Sequence, residues 1–227
     1  MGIDRTIKKR VIEDWQNAFP QLTMYTQNKF YKVVGCCVVG IELIKSPHTE
    51  SYSPYFVIYP IWKKDIKTSL VYPIFLRDFK NKKGYQYDIP YEKHSLFLCD
   101  VLDIVKNQIP LPFDGNISLA NIVSAIDDSS KKIPLSAAPN SYLQALLQES
   151  KLKIALFISI EDALKVLVEI NNRSWDIKSF KMWNIDFNNW LQSLQVTISR
   201  RDEFLIQIEA NKHDKKISQL RSSELTG

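Results

Sequence analysis

Glu42, Asp65 and Lys67 are the residues of this chain whose types and order could carry out a bond-breaking step. Two carboxylates and a lysine are what a metal-dependent nuclease uses to hold a divalent ion and steady a phosphate. Glu42 lies in an apolar run that reads as a strand, and Glu13 precedes it on an amphipathic stretch. Asp65-Ile66-Lys67, however, falls in a segment with the composition of a turn. There the same residues serve equally well as a solvated loop.

Other chemistries find less to work with. The six glycines form neither GxGxxG nor GxxxxGK, so a phosphate-cradling loop is not expected. There is no CxxC, HExxH or GxSxG, and His48, His94 and His213 are far apart. No metal or cofactor is assigned, and His94 reads as a helix-start or surface histidine. Cys36, Cys37 and Cys99 all sit in apolar runs. They are expected to be buried, unreactive thiols, because burial disfavours the thiolate.

Two basic turns are the most distinctive surface feature. Lys63, Lys64 and Lys67 make one; Arg77, Lys80, Lys82 and Lys83 make the other. Aromatic residues are interleaved with them, as in surfaces that bind nucleic acid. Successive turns of a meander fall at opposite ends of the sheet, which argues against one continuous phosphate track. The aromatic run Tyr55, Tyr59 and Trp62 offers a different use. Tyr and Trp are enriched at protein interfaces because each buries much area and keeps a polar tip. Tyr55 and Tyr59 share a strand face, so a protein partner or a second copy of the chain is expected to cover them.

These residues must be positioned by an α+β fold. Ile7, Val11, Trp15 and Phe19 recur at helical spacing, with Asp4 or Thr6 to cap the start and Pro20 to stop the helix. Residues 31–44, 55–62, 69–77 and 84–89 are β-branched, apolar or aromatic and are joined by short turns. They predict an antiparallel meander of about four strands. Tyr59-Pro60-Ile61-Trp62 is echoed by Tyr72-Pro73-Ile74-Phe75. A hairpin centred on Ile66 would set Tyr59 opposite Pro73. After Tyr91 the pattern is helical: 92–107, apolar enough to be buried on most sides, then 118–127, 141–150, 160–171 and 186–195. Segments 151–158 and 203–210 fit either a helix or a strand. The expected organisation is a sheet region over 1–127, a linker over 128–140, a helical region over 141–211 that could belong to the same domain, and a polar tail over 212–227 that frays.

Composition bounds the function without fixing it. The chain has 227 residues and a net charge of +5, with 45% hydrophobic residues, enough for a core that needs no disulfide or metal. Residues 31–91 hold 9 Lys+Arg against 5 Asp+Glu, so an electrostatic partner belongs to the first half. No secretory signal and no membrane span are predicted, and the cysteine usage suggests the cytoplasm. Met1-Gly2 with Thr6 fits the loose N-myristoylation pattern. The reading that follows is a non-catalytic cytoplasmic binding protein acting through protein–protein contacts. Its alternatives are a nucleic-acid binder or nuclease using the 63–83 turns, and a small-molecule enzyme whose site only folding assembles.

Overall fold

Asp4 caps α1 (Arg5–Ala18) by accepting from the Thr6 N–H at 2.8 Å. Val11 and Trp15 form the helix's buried stripe. The computed structural model describes residues 4–227, so Gly2, on which the myristoylation pattern depends, lies outside the described residues. Five antiparallel strands follow in chain order: β1 (Thr23–Thr26), β2 (Lys29–Val34), β3 (Cys37–Lys45), β4 (Ser51–Pro60) and β5 (Phe75–Asp78). A mostly helical second half then completes the α+β architecture.

The apolar run 31–44 is two strands, not one. Val34 pairs with Cys37, leaving Gly35 and Cys36 as a two-residue loop. Gly35 has φ +55°, which a glycine at the first loop position accepts without strain. The loop is hard to recognise because it is apolar and buried: Cys36 is 0% exposed, and its carbonyl accepts from the Ile61 N–H at 3.1 Å.

The β4–β5 hairpin differs from its expected register. Ile58 pairs with Phe75 and Tyr55 with Asp78, one residue away from the pairing that would set Tyr59 against Pro73. The ladder stops before Tyr59. Pro73 cannot donate to it, and residues nearer the turn form the short helix α2 (Ile66–Ser69) instead. Of 84–89, only the last residue enters a strand, in β6 (Ile89–Pro90), which pairs with the start of β4.

Strand alternation gives the sheet two faces. Phe30, Ile41 and Phe56 stand in register on one face. Phe56 stacks on Phe113, which meets Phe19, the C-cap of α1, edge-on. Each such fully buried ring contributes about 2–3 kcal/mol through its apolar area. Lys29, Glu42 and Tyr55 are in register on the other face.

The helices are α3 (His94–Gln108), α4 (Leu119–Ser130), α5 (Tyr142–Ile158), α6 (Ile160–Asn171), α7 (Ile177–Met182), α8 (Phe187–Ser199) and α9 (Arg201–Lys212). Residues 142–158 form one helix, and 203–210 is helical. α4 is preceded by β7 (Ile117–Ser118). α3 is less buried than its composition suggests. His94, Val101 and Val105 face inward, while Leu96 is 75% exposed and Cys99 is exposed. The expectation of three buried thiols is thus corrected at Cys99, because only one narrow stripe of α3 meets the sheet.

The polar tail does not fray. β8 (Arg221–Ser223) pairs in parallel with β2, and β9 (Leu225–Thr226) with β7. Ile217, Leu220 and Leu225 are buried, so three spaced apolar residues anchor an otherwise polar segment. Among the described residues no helix is long and apolar enough to cross a membrane.

Candidate functional site

Glu42, Asp65 and Lys67 are not brought together. Glu42 lies opposite Tyr55 within the sheet. Its Oε1 accepts from Lys29 Nζ at 3.0 Å, from Tyr59 Oη at 2.9 Å, and from Tyr31 Oη. Gly40 makes this cluster possible. It pairs with Tyr31, and a Cβ there would lie 2.8 Å from the Tyr31 ring and overlap the Phe30 carbonyl oxygen. Asp65 lies beyond the far end of β4. Tyr55 to Pro60 alone spans about 17 Å at roughly 3.3 Å per residue. Asp65 caps α2 by accepting from the Thr68 N–H at 2.7 Å, and that bond holds its carboxyl below the usual range. Among the described residues no group of three or more His, Cys, Asp or Glu could hold a metal ion.

A second polar constellation has the order of a proton relay. His94 Nε2 bonds Asp14 at 3.0 Å, His94 Nδ1 bonds Tyr52 Oη at 2.7 Å, and Trp15 Nε1 donates to Tyr52 Oη at 3.1 Å. Burial lowers the His94 pKa, outweighing the Asp14 carboxylate that raises it. The ring is therefore neutral at pH 7. Its Nε2–H donates to Asp14, and its Nδ1 accepts from Tyr52. Tyr52 is 0% exposed, so a substrate has no access to its hydroxyl. The chain ties α1 and α3 to β4. His94 is a helix-start residue, as its sequence position suggests, but a buried one.

The expected contact face of Tyr55 and Tyr59 is corrected in part. Tyr59 is 4% exposed and bonded to Glu42; burial and the adjacent carboxylate push its hydroxyl pKa up. Tyr55 is half-buried and accepts from Gln86 Nε2 at 2.5 Å. The hydroxyl ends that suggested an outward-facing pair are used within the chain.

Trp62 and Lys63 do reach a surface hollow. With Tyr72 they line a groove of about 440 Å³, and α5 forms its opposite wall through Leu143, Leu146 and Leu147. Tyr72 is 73% exposed, Leu143 43% and Leu146 39%. Lys63 lies 5.8 Å over the Tyr72 ring. Its ammonium is pushed below its ordinary pKa by burial, with the nearby Lys153 adding to the effect. Glu149 accepts from Lys153 at 2.6 Å and from Trp190 Nε1 at 2.9 Å. The floor is apolar and the rim is charged. That arrangement suits the docking of an apolar side chain or segment.

The remaining basic residues are dispersed. Lys64 is exposed beside the groove, and its carbonyl accepts from Gln207. Lys82 and Lys83 are exposed in the turn after β5, where Asn81 accepts from the Lys83 N–H at 2.9 Å. The two lysine turns therefore flank opposite ends of the β4–β5 ladder. Arg77 lines a second hollow, of about 310 Å³, between β5 and α4. The α5 wall of the groove was missed in sequence because Leu143 and Leu146 look like core residues. The available signal was that α5 is apolar around most of its circumference. Comparison with protein-family models, with characterised proteins and with solved structures finds no match to this chain.

Proposed function

We propose that this chain is a non-catalytic cytoplasmic binding protein that acts through protein–protein contacts, and that its contact site is the groove between the β4–β5 connection and α5. One observation carries the reading. Tyr72, Leu143 and Leu146 expose apolar surface around one shared hollow, as contact sites do. Trp62 and Tyr72 are the residue types that dominate interface energies when they fill such a hollow.

The test compares the wild-type protein with a Tyr72→Ala/Leu146→Asp double variant in quantitative affinity purification from the source cells. Light scattering reports self-association in parallel. Both substitutions are at exposed positions, so the variant should keep its thermal midpoint. A partner, or a dimer, recovered at least about tenfold better with the wild type is expected. Equal recovery by the two proteins, or a monomer with no partner, would overturn the reading.

A further inference from the structure

β5 is the last strand on its side of the sheet, and it pairs with β4 alone. Antiparallel pairing uses alternate backbone groups, so half of the N–H and C=O groups of Phe75–Asp78 point away from β4. None of them has a second backbone partner among the described residues. Edge strands that must stay unpaired are usually blunted by lysine or proline, or covered by another element. β5 is short and carries Arg77 and Asp78, but it also presents Leu76, 51% exposed, beside the 310 Å³ hollow.

That hollow adjoins the proposed contact groove. Leu135 lines both, and Ile74 of one is followed directly by Phe75 of the other. Gln144 Nε2 donates to the Leu135 carbonyl at 3.0 Å and fixes this shared wall. An element that fills both hollows must run along β5.

Charge narrows its chemistry. Asp78 is paired with Lys80 at 2.6 Å, Asp128 with Lys131 at 3.8 Å, and Glu149 with Lys153 at 2.6 Å. Arg77, Lys132 and Lys63 line the same hollows, and none takes part in a salt bridge among the described residues. The acidic side chains of the lining are thus already engaged, and three cations are left to face an occupant.

We infer that the occupant is an extended segment of a partner protein, apolar at alternate positions and carrying an acidic residue, which adds to the sheet as a strand along β5. Main-chain bonds to the free edge supply affinity, and the two hollows select side chains on alternate positions. Arg77 and Lys132 receive the carboxylate. The inference rests on the protein-binding reading above and names the form of the partner.

The probes are peptides selected against the full chain from a random-peptide display library, then synthesised with single N-methyl groups along their length. Strand addition predicts a loss of about tenfold at every second position and little change between them. Replacing the peptide's acid by its amide should cost about tenfold with the wild-type protein and little with an Arg77→Gln/Lys132→Gln variant of unchanged thermal midpoint. Uniform tolerance of N-methylation, or losses at consecutive positions as in a bound helix, would overturn strand addition. If binding still requires Tyr72 and Leu146 in that case, the protein-binding reading stands. If no peptide is enriched while the purification succeeds, the inference again fails alone; failure of both experiments removes the reading beneath it.

Discussion

Tyr52 and His94 share a hydrogen bond of 2.7 Å inside the core, between β4 and the first turn of α3. With Tyr52 donating, the bond uses an unprotonated Nδ1, and burial favours that neutral ring by lowering the histidine's pKa below its ordinary 6.5. The sign of the pH dependence follows. Below pH 6.5 the unfolded chain takes up a proton that the folded chain resists. The stabilisation is complete above the unfolded value and is lost as pH falls through the folded one. The urea midpoint should therefore drop from pH 7 toward pH 5. His94→Gln should flatten that segment of the profile, at a cost of about 1–3 kcal/mol at pH 7 for the Tyr52 hydroxyl left poorly paired. A profile of unchanged shape in the variant would show that His94 is not the titrating group.

The cysteines divide two to one. Cys36 and Cys37 are each 0% exposed, and contact with Cys36 together with burial pushes the Cys37 thiol up. Cys99 is exposed on α3. A thiol reagent added to the native protein should modify one site, and Cys99→Ser should abolish the reaction. The other two thiols should become reactive only on unfolding. Fast modification of three thiols in the native state would contradict the buried β2–β3 loop.

Glu42 should matter for stability through its oxygen more than through its charge. Glu42→Ala leaves two tyrosine hydroxyls, on Tyr31 and Tyr59, without their acceptor inside the protein. A loss of about 3 kcal/mol in urea unfolding is expected, since each buried unpaired donor costs roughly 1–3 kcal/mol. Glu42→Gln keeps an acceptor at the same place and should cost about 1 kcal/mol. Equal losses in both variants would mean that the pairing with Lys29 dominates the cluster.

What could be read from the sequence follows from the range of the interactions involved. α1 and α6 were legible because a local cap and a one-sided apolar stripe coincide in each; Ser159 accepts from the Asp162 N–H just as Asp4 accepts from Thr6. The β2–β3 loop was not, since Gly35-Cys36 carries no polar turn residue and is buried by other parts of the chain. The β4–β5 register differs from the expected one where the ladder ends at Ile58 and Phe75, before Pro73, and Asp65 caps α2 within the connection. For the site, Trp62 and Lys63 could be marked by residue type alone. Leu143 and Leu146 could not, because whether a leucine on an apolar helix faces the core or a groove is decided by distant packing. Tyr59 shows the converse. Its aromatic character suggested a partner surface, and only the fold reveals that Glu42 already occupies its hydroxyl.

The C-terminal segment offers the largest expected effect. Ile217, Leu220 and Leu225 are buried, and Arg221–Ser223 extends the sheet beside Lys32–Val34. Leu225 also packs close to Gly35: a Cβ on that glycine would lie 2.5 Å from the Leu225 Cβ. Ending the chain after His213 removes three buried apolar side chains and uncovers the β2–β3 loop. At about 1.5–3 kcal/mol per side chain the loss is on the order of 5 kcal/mol, or roughly 15 °C in thermal midpoint for a chain of this size. Cys36 should then react with a thiol reagent in the truncated protein before global unfolding. A truncated protein that melts with the full chain and keeps Cys36 protected would show that the tail contributes little. In that case the β2 edge must be stable without its parallel neighbour.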